Sequence, residues 1–266
     1  MAGERAKIEW QRLLEEALTT PGHLGNVYSR FHDYSITNML LFMRQGLHEP
    51  VASFTRWKAL GRHVLKGARA KEVIVLVLVN EQPPDDDTLE EKRERVATLI
   101  GFKVVRAVFP LSDTDGPELP PQPTPGWDLA TALNKLGIRE VPFDTTNGNL
   151  QGWSHGTEFA INPIAVNRLK TTYHELGHIV LGHTLPHHYE EYKAHRGILE
   201  FQAEAVSYLV MNELEVMEDE TASHSRGYIR HWLSDEQPPD QAIRQVFTAA
   251  DRILRAGRIE VDGQES

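Results

Sequence analysis

The chain has 266 residues, 40% apolar and 25% charged, enough to bury the core of one large or two ordinary domains. It contains no cysteine, which excludes disulfides and thiolate metal sites and leaves His, Asp and Glu to hold any metal. The net charge of −10 is uneven: residues 1–80 carry 11 Lys/Arg against 7 Asp/Glu, and residues 81–266 carry 17 against 31. Met1 to Trp10 has no apolar signal core, and the longest apolar run, Val73 to Val79, is far below the ~17 residues of a membrane helix. A cytoplasmic protein with no membrane partner is the expectation.

In chain order, Ile8 to Leu18 has the apolar spacing of an amphipathic helix (Ile8, Leu13, Leu14, Ala17, Leu18), ended by Thr19-Thr20-Pro21-Gly22. A second helix is expected from the N-cap Ser35 through Met43, closed by Gly46, and a short one from Trp57 to Arg62. Val73–Val79 and Gly101–Phe109 read as strands, and the charged, Pro-containing stretch between Glu81 and Arg95 as an exposed insertion. Six prolines, at 110, 117, 120, 121, 123 and 125, mark 110–126 as an extended linker between a domain at 1–109 and another at 127–266. In the second domain, helices are expected at Trp127–Leu136, around the histidines near 174, at about Gly197–Asn212 and at Asp240–Ala256. A short strand is expected at Thr157–Asn162. The fold class is α+β: an α+β first domain, then a mainly helical domain with a small sheet.

Within the second domain stands His174-Glu175-Leu176-Gly177-His178. Residues four apart share a helix face, so the two imidazoles converge on one point. Glu175 sits beside that point, where a carboxylate can accept the proton of a metal-bound water. Gly177 would let another backbone come close. The continuation required of a metzincin fails: the glycine position is Leu181, the last histidine position is Thr184, and His183 falls one residue short. The third ligand is therefore sought downstream, where Glu200 and Glu204 lie four apart on one helix face. Glu204 is flanked by Ala203, Ala205 and Val206, and a carboxylate in so apolar a stretch needs a partner such as Zn2+. Glu204 is the expected ligand and Glu200 the alternative. Tyr228 or Tyr208 is a candidate to stabilise an oxyanion, and the strand at Thr157–Asn162 to pair with a substrate peptide.

In the basic first part, Phe31, Tyr34, Phe42, Phe54 and Trp57 stand among Arg30, Arg44, Arg56, Lys58, Arg62, Lys66, Arg69 and Lys71. Single-stranded nucleic acid is commonly held in this way, by bases stacked on rings and cations set against phosphates. Any single one of these aromatics could equally fill a core.

Phe31-His32-Asp33-Tyr34-Ser35-Ile36-Thr37-Asn38 and the stretch from Phe54 through Trp57-Lys58-Ala59-Leu60-Gly61 to Lys66-Gly67 resemble the opening of the ArdC-type antirestriction proteins. The resemblance continues through Tyr173–His178, Glu204-Ala205-Val206-Ser207-Tyr208 and Gly227–Leu233. It implies an N-terminal single-stranded-DNA-binding domain, adding Asn38 to the contact set, and a C-terminal zincin-like, ImmA/IrrE-type metallopeptidase domain with ligands His174, His178 and Glu204. One departure stands out: gluzincins usually place an acid four residues after the ligand glutamate, but position 208 is Tyr. The expectation is a DNA-tethered zinc metallopeptidase acting on an unidentified protein substrate through Glu175. The alternative is a non-enzymatic DNA-protecting protein with a structural metal.

Overall fold

The computed structural model describes residues 8–19, 34–78, 100–119, 126–145, 147, 149–185 and 189–259. The expected insertion at 81–95, the prolines at 120, 121, 123 and 125, and Arg30, Phe31, His187 and His188 lie outside the described residues. The chain forms two compact units, one comprising 1–8 and 37–120, the other 9–36 and 121–266.

The first unit is built on an antiparallel sheet of order β1-β4-β3, with β1 at Val51–Ser53, β3 at Lys71–Leu78 and β4 at Ile100–Pro110. The β-branched run Val73-Ile74-Val75 sits inside β3, as its composition requires. Helix α2 (Ile36–Arg44) closes at Gly46, whose φ is 72°. Two amides seven residues apart, on one face of the α2 segment, grip the edge of β3. Asn38 accepts from the Ile74 N–H at 2.7 Å and donates to its C=O at 2.9 Å. Gln45 does the same at Glu72, at 2.8 and 3.0 Å. Residues 72 and 74 point their backbone groups the same way, so the two amides stand in for a neighbouring strand and protect that edge from pairing elsewhere.

Helix α3 runs Phe54–Ala59, starting three residues earlier than expected because the Ser53 side chain caps it by accepting from the Arg56 N–H. Short β2 (His63–Val64) pairs with β5 (Thr114–Asp115), so residues 110–117 are folded onto the first unit and do not serve as linker.

The second unit is mainly helical. Helix α1 (Trp10–Thr19) belongs to it, against the expected boundary, because Trp10, Leu13, Leu14, Ala17 and Leu18 are buried there and the Trp10 ring meets Phe247 at 6.3 Å. Helix α4 (Leu129–Leu136) is capped by Asp128 and closed by Gly137, and just before it short β6 (Gly126–Trp127) pairs with Arg258–Ile259. A three-stranded sheet has order β7-β9-β8, with β7 at Arg139–Glu140, β8 at Gly152–His155 and β9 at Glu158–Ile161. β9 is the middle strand, parallel to β7 and antiparallel to β8. The expectation that this strand receives a substrate peptide is corrected, since both its edges are occupied; among the described residues the outer strands are β7 and β8.

Helix α5 (Arg168–Leu181) starts at the Asn167 N-cap and carries the histidine motif. Helix α6 (Tyr189–Glu213) begins eight residues earlier than expected and packs on α5. A Cβ on Gly177 would lie 3.2 Å from both the Cα and the carbonyl oxygen of Ala203, so glycine sets how closely the two helices approach. Helix α7 (Asp219–His231) follows, and α8 (Asp240–Ala256) buries Ile243, Val246, Phe247, Ile253 and Leu254 across the unit.

Glu213, near the end of α6, is 5% exposed and neither carboxylate oxygen has a hydrogen-bond partner. Burial, helped by the charges of Asp251 and Glu215, pushes its pKa up to about 8 from the ordinary 4.5. The folded state therefore holds this proton more tightly than the unfolded chain. The associated stability is fully present below pH 4.5 and is lost as pH rises through 8. Glu213→Gln is expected to stabilise the protein by about 4 kcal/mol at pH 8 and to reduce the loss of stability between pH 5 and 8. A slope remains from Asp251, itself raised to about 6 by burial, and from His174, raised to about 9. Urea midpoints at pH 5 and 8 check this; an unchanged difference between them in the variant would refute it.

Candidate metal centre

Lys170, His174 and His178 follow one another at four-residue spacing along α5, and Glu200 and Glu204 do the same along α6. The close approach at Gly177 brings the two stripes together. His174 Nε2 and His178 Nε2 are 3.2 Å apart, and Glu200 Oε2 lies 3.2 Å from the first and 3.7 Å from the second. Two ligands about 2.05 Å from a zinc-like ion at tetrahedral angles are about 3.3 Å apart, so this triangle fits one face of such a polyhedron. Among the described residues, His174, His178 and Glu200 are the group whose ligand atoms all lie within 4.8 Å of one another.

The geometry favours the alternative third ligand, Glu200. Glu204 Oε1 pairs with Lys170 Nζ at 2.8 Å, and Glu204 Oε2 accepts from His174 Nδ1 at 3.3 Å. Its carboxylate meets the far side of the His174 ring. The need for a partner in an apolar stretch was read correctly, but Lys170 and His174 meet it. With Glu200 in the triangle, Glu204 is also the acid four residues onward, and the departure noted at Tyr208 disappears.

Electrostatics agree with a cation-seeking site. Burial pulls the His174 pKa down, but hydrogen bonds to Glu200 and Glu204 and the charges of Glu204 and Glu175 outweigh it and carry it up to about 9. The hydrogen bond from His174, with the His178 ring 3.7 Å away, holds Glu200 far below the ordinary carboxylate range, against the opposing pull of burial. Burial raises Glu204, yet its bonds to His174 and Lys170 prevail and bring it down to about 2.

Glu175 is buried, and its Oε2 accepts the Ser154 hydroxyl at 2.6 Å. Ser154 belongs to β8, so that outer strand and the carboxylate beside the triangle are tied together. Both line a cavity of about 1080 Å³ with His174, His178, Glu200 and His224. Gly152 keeps β8 close to α5, since a Cβ there would meet Thr171 Cγ2 at 2.7 Å. Tyr228, the expected oxyanion group, is 39% exposed and is absent from the lining of this cavity, whereas His224, one turn earlier on α7, lines it. Burial, with the charges of Glu200 and Glu204, raises the Tyr228 hydroxyl's pKa. Tyr208 is a core residue whose hydroxyl donates to the Leu18 carbonyl at 3.3 Å. Ser154, Lys170 and His224 escaped the sequence reading; only Lys170 left a signal, its spacing four before His174.

In the first unit the expected DNA contacts divide. Arg44, Arg56, Lys58, Lys66 and Arg69 are exposed, Lys71 is half-buried, and half-buried Tyr34 falls in the second unit. Three are committed to the fold. Asn38 is spent on Ile74, and buried Trp57 donates its indole N–H to the Phe109 carbonyl at 2.9 Å. The Arg62 guanidinium is buried against Thr114 and the carbonyls of Gly116 and Pro117. Phe42 is buried, as a core reading would have it, but Phe54 is 58% exposed on α3, one turn from Lys58.

Residues 2–109 match the family model for the N-terminal domain of anti-restriction factor ArdC. Among solved structures, the antirestriction ArdC protein from R388 plasmid is similar in its metal-free form, with 16% identity, a TM-score of 0.47, and 94% of this chain and 96% of that chain covered. Its Mn(II)-bound form gives 15% identity and a TM-score of 0.44, covering 94% and 98%. No curated protein matches. No helix among the described residues is long and apolar enough to cross a membrane. Residues 2–109 thus match an ArdC-type N-terminal domain, a match that spans less than half of the chain.

Proposed function

We propose that the second unit is a metal-dependent peptidase, with Zn2+ the ion best suited to a His174, His178, Glu200 donor set, and that the first unit binds single-stranded DNA. The observation that carries the peptidase reading is the open cavity over a three-ligand face with Glu175 in its wall. A structural zinc site is closed by a fourth protein ligand and has no use for a buried carboxylate beside it. When bound, the ion would supply Lewis acidity and a water acidified towards neutrality. Glu175, with Oε2 occupied by Ser154, keeps Oε1 as the group that would accept a proton from the attacking water and return it to the leaving amine nitrogen. An extended peptide would add to the open edge of β8, which places its backbone alongside Glu175. In the first unit, Phe54 offers a stacking face beside Lys58 and Arg56, with Arg44, Lys66 and Arg69 as further cations for phosphates.

The test is a mixed peptide library incubated with the protein loaded with Zn2+ or Mn2+, with and without chelator, and a parallel titration of a fluorescent DNA oligonucleotide. Metal-dependent cleavage and salt-sensitive binding weakened by Phe54→Ala with Arg56→Ala are expected. No cleavage by fully loaded protein, together with a melting temperature that falls on chelation, would favour a structural metal instead.

A further inference from the structure

We infer that His183 is a positioning residue for the metal centre: it is the middle link of a neutral relay, Gln245–Gln202–His183–His178, that fixes the His178 tautomer with its Nε2 lone pair facing His174 and Glu200. The inference rests on the metal reading above and concerns residues that reading does not use.

The relay can be followed from its buried end. Gln202, on α6, is 3% exposed, and its Nε2 donates to the Ala242 backbone carbonyl at 3.1 Å and to Gln245 Oε1 at 2.9 Å. A carbonyl only accepts, so the amide of Gln202 has one orientation and its oxygen faces His183. That oxygen lies 3.2 Å from His183 Nε2, which must carry the hydrogen. The neutral ring then offers Nδ1 as an acceptor, and His178 Nδ1 is 3.0 Å away. His178 accordingly donates through Nδ1, and its Nε2 is left bare towards His174 Nε2, 3.2 Å away, and Glu200. With the His183 ring neutral, each step follows from the donor and acceptor inventory.

The backbone explains why His183 is in place. Helix α5 ends at Gly182, φ 83°, with the Gly182 N–H donating to the Ile179 carbonyl and the His183 N–H donating to the His178 carbonyl at 2.9 Å. This pair of bonds is the Schellman cap, which folds the residue after the glycine back over the last turn. The histidine that falls one short of the metzincin position is thereby turned onto the ring of the second ligand. His174 is set in the same sense by different chemistry, its Nδ1 facing the charged Glu204. A neutral relay at His178 orients that ring without adding a fourth carboxylate to a site already holding Glu175, Glu200 and Glu204.

Partners of this kind are worth about 10- to 100-fold in metal affinity. The experiment compares His183→Phe, which cannot accept from His178, with His183→Gln, whose amide oxygen can. Two readouts are taken: Zn2+ affinity by competition with a chromophoric chelator, and 15N histidine spectra of the metal-free proteins. Expected are a 10- to 100-fold loss in His183→Phe with His178 no longer held as the Nδ1–H tautomer, and recovery to within a few-fold in His183→Gln. Wild-type affinity in His183→Phe, or equal losses in both variants, would overturn the relay. Should the wild type bind no Zn2+, the metal reading fails on its own account. The metal-free spectra then decide the relay, an Nε2–H tautomer at His178 overturning it.

Discussion

Glu200→Ala is expected to weaken Zn2+ binding by about a thousandfold, whereas Glu204→Ala weakens it by about 10- to 100-fold. The two glutamates lie one turn apart on α6, and each contacts His174, but at opposite nitrogens. Removing Glu200 deletes a corner of the triangle and leaves two imidazoles, which forfeits about 4 kcal/mol at that ratio. Removing Glu204 leaves all three donor atoms and loosens only the ring of His174 and its Lys170 neighbour. The pH dependence separates them further. In the wild type the metal must expel the proton that His174 holds with a pKa of about 9. Affinity therefore falls as pH falls below 9, by about tenfold per unit, and binding releases a proton. The same proton stabilises the metal-free fold, a contribution present below pH 6.5 and lost as pH rises through 9. Without Glu204 the His174 pKa drops and the onset of this loss moves to lower pH. Chelator competition at pH 6, 7 and 8 measures both effects. Equal losses in the two variants, or a larger loss for Glu204→Ala, would return the third ligand to Glu204.

What the chain displays in sequence and what it hides follow from the range of the interactions involved. The α5 stripe was readable because helical spacing alone brings His174 and His178 together. The assignment of α8 to Asp240–Ala256 was readable for the same reason: its apolar period is local. The choice between Glu200 and Glu204 was not readable, because both lie on one face and the gap each reaches depends on how α5 crosses α6, a tertiary property set at Gly177 and Ala203. Burial of Glu204 was inferred correctly from its neighbours, yet burial does not name the partner, and a lysine met the need. The first unit shows the converse. Asn38, Trp57 and Arg62 have the chemistry of nucleic-acid contacts, but the same donors and rings bridge β3, β4 and the Gly116 turn. Composition records what a side chain can bond, and only the fold records whether it is already bonded. Phe54 is the mirror case, apolar enough for a core yet left on the surface of a six-residue helix whose inward anchor is Trp57.

Glu175→Gln is expected to leave Zn2+ affinity within a few-fold of wild type while lowering peptide hydrolysis by about 10²–10⁴. Its carboxylate stands outside the ligand triangle, and its hydrogen bond from the Ser154 hydroxyl can also be made to an amide oxygen. Shape and burial are thus conserved, and what disappears is a proton acceptor at Oε1. The loss should lie in kcat with KM little changed, because a substrate strand adding to β8 is held by backbone groups and not by this side chain. Ser154→Ala gives the intermediate case. Releasing Oε2 frees the carboxylate to rotate, and a loss of about tenfold is expected, with metal content unchanged. A Glu175→Gln protein that keeps full metal and full hydrolysis would remove Glu175 from proton transfer and make His224 on α7, another titratable residue of the cavity wall, the next group to test.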